Sequence, residues 1–216
     1  MANITIKPRQ IYAAMGAFAG WFAIGLAFYL VNIQNSKSLA LGTVIGFFSA
    51  GTTLANILVA LCLTFFFIKP ESDWSKFFSR AKIVAAIAVY ISACGLLYNV
   101  LLRPTRNPVD WGKVADELLH LILPLWFLLY WLLFAAKKEL KWKDALFILF
   151  FPLLYTVVIL IRGVLFGIYP YSFIDINKLG FDKFLFNISM FAVVFSLLSL
   201  LFITIAKIMS GKHKTI

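Results

Sequence analysis

Six apolar runs, each long enough to cross a bilayer as a helix, leave this chain little room to be anything but a membrane protein. They fall near 11–31, 39–68, 83–102, 114–136, 145–168 and 184–208. A hydrocarbon core of about 30 Å is spanned by roughly 20 helical residues. Only helices and closed barrels satisfy their own backbone groups in lipid. Barrel strands alternate apolar and polar residues, whereas these runs are apolar on both parities. The expected fold is an all-α membrane protein, a single domain over 1–216 built as a six-transmembrane-helix bundle. Composition agrees, with 62% of residues hydrophobic against about 45–50% in a soluble domain. The first run is too long for a signal-peptide core and no small-residue cleavage site follows it, so it reads as a retained helix.

The net charge of +11 gathers at helix ends rather than along one stripe, which argues for lipid contact and against nucleic acid. Lys7, Arg9, Lys69, Lys76, Arg80, Lys82, Lys137, Lys138, Lys141, Lys143, Lys207, Lys212 and Lys214 fall on one side of the membrane. Lys37, Arg103, Arg106, Lys113, Lys178 and Lys183 fall on the other. By the excess of Lys and Arg in cytoplasmic loops, both termini are expected to be cytoplasmic, and the loops 33–39, 103–113 and 169–183 to face outward. The expected location is an integral, multi-pass position in a cell membrane. Cys62 and Cys94 fall inside spans and read as free thiols packed as small apolar groups. Gly16 and Gly20, then Gly42, Gly46 and Ala50, have the small-residue spacing of close helix contacts.

Polar residues inside the runs carry the information about chemistry. Ser49, Thr52 and Asn56 stand at i, i+3 and i+7 and would share one face of a continuous second helix, with Thr53 on the neighbouring face. Asn99 lies near the outer end of the third run, and Asp116, Glu117 and His120 in the first turns of the fourth. Arg162 lies near the outer end of the fifth, before Tyr169-Pro170-Tyr171-Ser172-Phe173-Ile174-Asp175, and Asn187 opens the sixth. Nearly all of these fall in the outer half of the membrane, which predicts a polar cavity open to the outer side. His120 stands out, because a titratable ring in an apolar helix is costly and is read as functional by default. The other histidine, His213, is in the basic tail. Arg162 stays charged and needs carboxylate or carbonyl partners. Asp175, Glu117 and Asp116 are candidates, either in a structural clamp or in a site where Arg162 binds a substrate carboxylate.

Several chemistries lack their residues. Glu117-x-x-His120 has no second copy for a di-iron site, and catalytic zinc wants three protein ligands. Gly-rich phosphate loops and a Gly-x-Ser-x-Gly elbow are absent. No metal and no cofactor is expected. A hydroxyl nucleophile activated by a histidine base remains. Along a second helix of about thirty residues, Thr52 would lie roughly 14 Å below the outer surface and His120 roughly 10 Å.

These residues resemble a family. Phe47-Phe48-Ser49-Ala50-Gly51-Thr52-Thr53-Leu54-Ala55-Asn56 resembles the second-helix motif of a bacterial family of six-transmembrane membrane proteins. Leu118-Leu119-His120 with Pro124, and Trp131-Leu132-Leu133-Phe134, resemble its fourth helix. Leu160-Ile161-Arg162-Gly163 and Tyr169-Pro170-Tyr171-x-Phe173-x-Asp175 resemble its fifth helix and following loop. The resemblance runs from about Gly46 to Gly180. That family is similar to the eukaryotic androgen-induced and androgen-dependent membrane proteins, threonine hydrolases of fatty acid esters of hydroxy fatty acids. The resemblance implies Thr52 as nucleophile, His120 as base and a bacterial cell (inner) membrane as the location. Thr53, three residues before Asn56, is the alternative nucleophile. The His-to-Pro spacing of four is one shorter than in the eukaryotic relatives, and Gly51 stands where the bacterial motif has an aromatic.

The expected function is an integral-membrane lipid ester hydrolase acting on a lipid-like substrate, with Asn56 or Asn99 donating to the oxyanion and Ser49, Arg162 and Asp175 near the substrate. Asp116 and Glu117, on the same helix as His120, are expected to help it only through water. The alternative is a non-enzymatic lipid or small-molecule binding protein or a small transporter, in which His120 and Arg162 bind ligand or relay protons.

Overall fold

The computed structural model describes residues 7–34 and 41–211, all-helical and without strands among them. Lys37, the expected start of the second run near Leu39, and His213 lie outside the described residues. Among the described residues, six helical spans are long and apolar enough to cross a membrane: Pro8–Asn32, Gly51–Ile68, Ala81–Thr105, Asp110–Phe134, Asp144–Phe166 and Phe181–Gly211. The chain is thus an integral, multi-pass membrane protein. It forms two compact units, Met1–Ala136 and Lys137–Ile216.

In the first unit α1 is Pro8–Tyr29, opened by proline in its first turn, where the missing N–H is not needed. Ala13, Gly16, Ala17, Gly20 and Ala23 make its buried stripe, and the small side chains let α3 come close. A Cβ at Gly20 would stand 3.1 Å from that of Ala60. By contrast, Gly42 and Gly46 face open space, with nothing within 4 Å of a Cβ built there. Their spacing marks no contact.

The second apolar run is not one helix. It breaks into α2, Leu41–Ser49, and α3, Gly51–Ile68, at Ala50, whose backbone is extended at φ −70° and ψ 131°. Gly51, immediately after it, lowers the cost of leaving the helix. The Ser49 hydroxyl donates back to Gly46 O at 3.2 Å, a local bond that competes with helix continuation. Ser49 therefore shares no helix face with Thr52 and Asn56, and the depth counted along thirty continuous residues does not apply.

A short amphipathic helix, α4 (Asp73–Ser79), is capped by the Ser72 hydroxyl and leads into α5, Ala81–Leu97. The latter is the most enclosed span of the unit. Single π turns follow α1 (Leu30–Gln34) and α5 (Tyr98–Leu102), and a third, Leu118–Ile122, joins α6 (Asp110–Glu117) to α7 (Leu123–Phe134). Tyr130, Trp131, Phe127, Phe66 and Leu63 fill the core.

The second unit is a hairpin of α8 (Asp144–Phe166) and α10 (Phe181–Gly211), with the four-residue α9 (Ile176–Leu179) between them. Helix α8 ends at Gly167, left-handed at φ 68°, whose N–H donates to Gly163 O at 2.9 Å, an ending that favours glycine. The Tyr169 ring lies against Gly163 with no room for a Cβ.

Candidate functional site

The polar residues of the first unit gather around the π turn that carries His120. Pro124 has no N–H and cannot bond to a carbonyl one turn back, and the extra residue of the π turn leaves a further carbonyl over, so the carbonyls of Leu119 and His120 take donors from elsewhere. Two asparagines supply them. Asn56 Nδ2 donates to Leu119 O at 3.3 Å and to Thr52 O at 2.9 Å. Asn99 Nδ2 donates to His120 O at 2.9 Å and to Gly95 O at 2.8 Å. Gly95 makes the approach fit, since a Cβ there would stand 3.1 Å from both His120 O and the Pro124 ring. A π turn of this kind is frequent at functional sites.

This geometry corrects one expectation. A carboxamide has two N–H donors, and in both asparagines both are spent on backbone carbonyls. Neither Asn56 nor Asn99 has one left for an oxyanion. Asn56 instead ties the start of α3 to the His120 turn, because one amide group reaches both the Thr52 and the Leu119 carbonyl. Its Oδ1 is buried with no hydrogen-bond partner among the described residues. Thr53 is buried, whereas Thr52 and Ser49 are half-buried.

The imidazole of His120 is clamped. Its Nδ1 lies 3.0 Å from Asp116 O and 3.4 Å from Asp116 Oδ1. The Tyr98 ring stacks on it at 3.5 Å between centroids and 11° between planes. The Tyr98 hydroxyl donates to Asp116 Oδ1, so one tyrosine holds both the ring and the carboxylate. The expectation that Asp116 helps only through water is thereby replaced by direct contact, one helical turn back on the same element. Arg103 completes the group with a two-pronged bond to Glu117, at 2.9 and 3.0 Å, and lies 3.9 Å from Asp116 Oδ2. Tyr98 and Arg103 were not among the residues singled out from sequence. The cue available there was only that each lies within five residues of Asn99 at the same helix end.

Arg162 and Asp175 belong to the second unit. Asp175 is buried and caps α9, with Oδ1 accepting from Asn177 N at 3.1 Å and Oδ2 lying 3.5 Å from Lys178 Nζ. Arg162 is half-buried near the end of α8. Asn187 Nδ2 donates to Phe173 O at 2.7 Å, tying α10 to the loop before it.

An apolar hollow of about 400 Å³ is lined by Phe22, Leu26, Tyr29 and Leu30 of α1 and its π turn and by Trp111 of α6. No group of three or more His, Cys, Asp or Glu among the described residues is placed to hold a metal ion. Comparison with known protein families, with curated proteins and with solved structures finds no match to the chain.

Proposed function

We propose that this protein is an intramembrane lipid ester hydrolase with Thr52 as nucleophile and His120 as base. The observation that carries the reading is the clamp on His120. A carbonyl and a carboxylate of Asp116 at Nδ1 favour the proton on that nitrogen and leave Nε2 as the basic atom. The bonds from Asn56 to Thr52 O and Leu119 O support the pairing, since they hold the first turn of α3 beside the His120 turn. In the proposed reaction Nε2 takes the Thr52 hydroxyl proton and Oγ1 attacks the ester carbonyl. The alkoxide leaves as the alcohol with the proton from His120, giving an acyl-threonine. Water, deprotonated by the same nitrogen, then releases the acid and restores Thr52. The excess of Lys and Arg on one side supports cytoplasmic termini and a site nearer the outer face; the bacterial inner membrane rests on the family resemblance alone.

The test is labelling of the purified protein in lipid nanodiscs with a fluorophosphonate, which phosphonylates an activated hydroxyl. Wild type is expected to label on Thr52, mapped by peptide mass spectrometry. Thr52→Ala is expected to abolish the adduct and Thr53→Ala to keep it. Labelling that survives Thr52→Ala and vanishes in Thr53→Ala would move the nucleophile one residue. No adduct on either threonine would overturn the hydrolase and leave a lipid-binding or transport role.

Tyr98→Phe keeps the stacked ring and removes the hydroxyl from Asp116. A hydrogen bond to a charged group contributes about 1.5–3 kcal/mol, and part of it acts on the orientation of His120. The labelling rate constant is expected to fall roughly tenfold, about 1.4 kcal/mol, with the fold intact by size-exclusion chromatography.

A further inference from the structure

At the end of the bundle where α1 begins, we infer a binding site for the phosphodiester of an anionic phospholipid, built around Arg9. The guanidinium lies in a box of neutral groups. Its Nε donates to Tyr130 Oη at 2.7 Å and its Nη2 to Ser79 Oγ at 3.2 Å. The Phe66 ring faces it at 4.6 Å and the Tyr130 ring at 5.8 Å from the centroid. Tyr130 and Phe66 are fully enclosed, so two of the walls are fixed by the core.

An arginine stays charged and carries five N–H donors. Here two of them go to uncharged oxygens, and no described carboxylate stands within ion-pair distance of the group. The acids of the adjoining segment are Glu71 and Asp73, and Asp73 stands 3.6 Å from Lys76. The remaining donors and the positive charge have no counterpart among the described residues.

Depth in the membrane names the counterpart. Ser79 closes α4, and that helix shows Trp74 and Phe77 to its surroundings, 60% and 37% exposed, with charged Asp73 and Lys76 beside them. Exposed tryptophan and phenylalanine on a short charged helix sit at the boundary of headgroup and acyl chain. Arg9, bonded to the last residue of that helix, is therefore at the level of the lipid phosphates. A phosphodiester offers two oxygens to a guanidinium fork. Arg80, next to Ser79 and resting over Phe77 at 5.6 Å, adds a second cation. A second cation at the same end of α4 favours an anionic lipid over a zwitterionic one, whose own ammonium would be repelled.

The site is independent of the hydrolase reading and is measured without turnover. The full chain is reconstituted in nanodiscs of phosphatidylcholine with a minor share of phosphatidylglycerol, and lipids retained after release are counted by native mass spectrometry. Wild type is expected to retain phosphatidylglycerol selectively. Arg9→Gln is expected to lower that selectivity roughly fivefold, from about 1 kcal/mol per cation at the membrane surface. Ser79→Asp keeps Arg9 but gives it an internal carboxylate, and is expected to lose the selectivity as well. It decides the matter should Arg9→Gln fail to fold. Lys113→Gln, in α6, is expected to behave as wild type. Undiminished selectivity in folded Arg9→Gln or in Ser79→Asp overturns the site, as does an equal loss in Lys113→Gln, which would mean diffuse attraction.

Discussion

Asp116→Asn is expected to slow fluorophosphonate labelling of Thr52 by about two to three orders of magnitude, a loss in the range set by a general base and the carboxylate that supports it. As His120 accepts the threonine proton it becomes a cation, and Asp116 Oδ1, 3.4 Å from Nδ1, is the negative charge that stabilises it. An asparagine has the same shape and still accepts from Tyr98, so the cluster keeps its packing. It cannot supply the charge that stabilises the imidazolium. The backbone carbonyl of residue 116, at 3.0 Å from Nδ1, survives the change and limits the loss. Glu117→Gln is the control, because Glu117 bonds to Arg103 and has no described bond to His120. Its labelling rate is expected to stay within a few-fold of wild type. An Asp116→Asn protein that labels at the wild-type rate would remove Asp116 from the proposed chemistry.

The membrane-spanning character was legible because hydropathy reports burial in lipid directly, run by run. What happens inside a run was less legible, since the average over twenty residues carries no information on one ψ angle. Ala50 shows this, because the Ser49 and Gly51 beside it are ordinary in a membrane helix and do not by themselves mark an extended residue in mid-run. His120 was legible as an anomaly of cost. Its supports were not, because each is an ordinary residue until the helices pack. Tyr98 carries no mark of its own in the sequence, and Asn56 and Asn99 read as spare donors. The signal that points to the amides is Pro124, since a proline deprives an upstream carbonyl of its partner, and asking which group would replace it points to asparagines on neighbouring helices; the second carbonyl is freed by the π turn, which the sequence does not mark. Arg162 drew attention by its position in an apolar run, while Arg103, at a helix end, reads as a topology charge. Packing makes Arg103 the partner of Glu117.

Gly16→Val is expected to destabilise the protein by about 1–3 kcal/mol, the usual cost of forcing extra atoms into a packed interior, read from equilibrium denaturation in mixed detergent micelles. A Cβ at position 16 would stand 2.7 Å from Leu63 Cδ1 and as close to the Trp126 indole. Neither neighbour yields easily. Leu63 is fully buried. Trp126 stacks on Tyr12 at 4.3 Å, its Nε1 donates to Tyr12 O at 3.4 Å, and the Tyr12 hydroxyl donates back to Trp126 O at 2.9 Å. Relieving the clash means either parting α1 from α3 or breaking the Tyr12–Trp126 pair that joins α1 to α7. Gly46→Ala, at the same small-residue spacing but with nothing within 4 Å of its Cβ, is expected to be neutral or slightly stabilising, because alanine favours a helix over glycine by about 1 kcal/mol. The contrast separates contact from spacing. Equal stability of Gly16→Val and wild type would mean that α1 does not dock on α3 through this stripe.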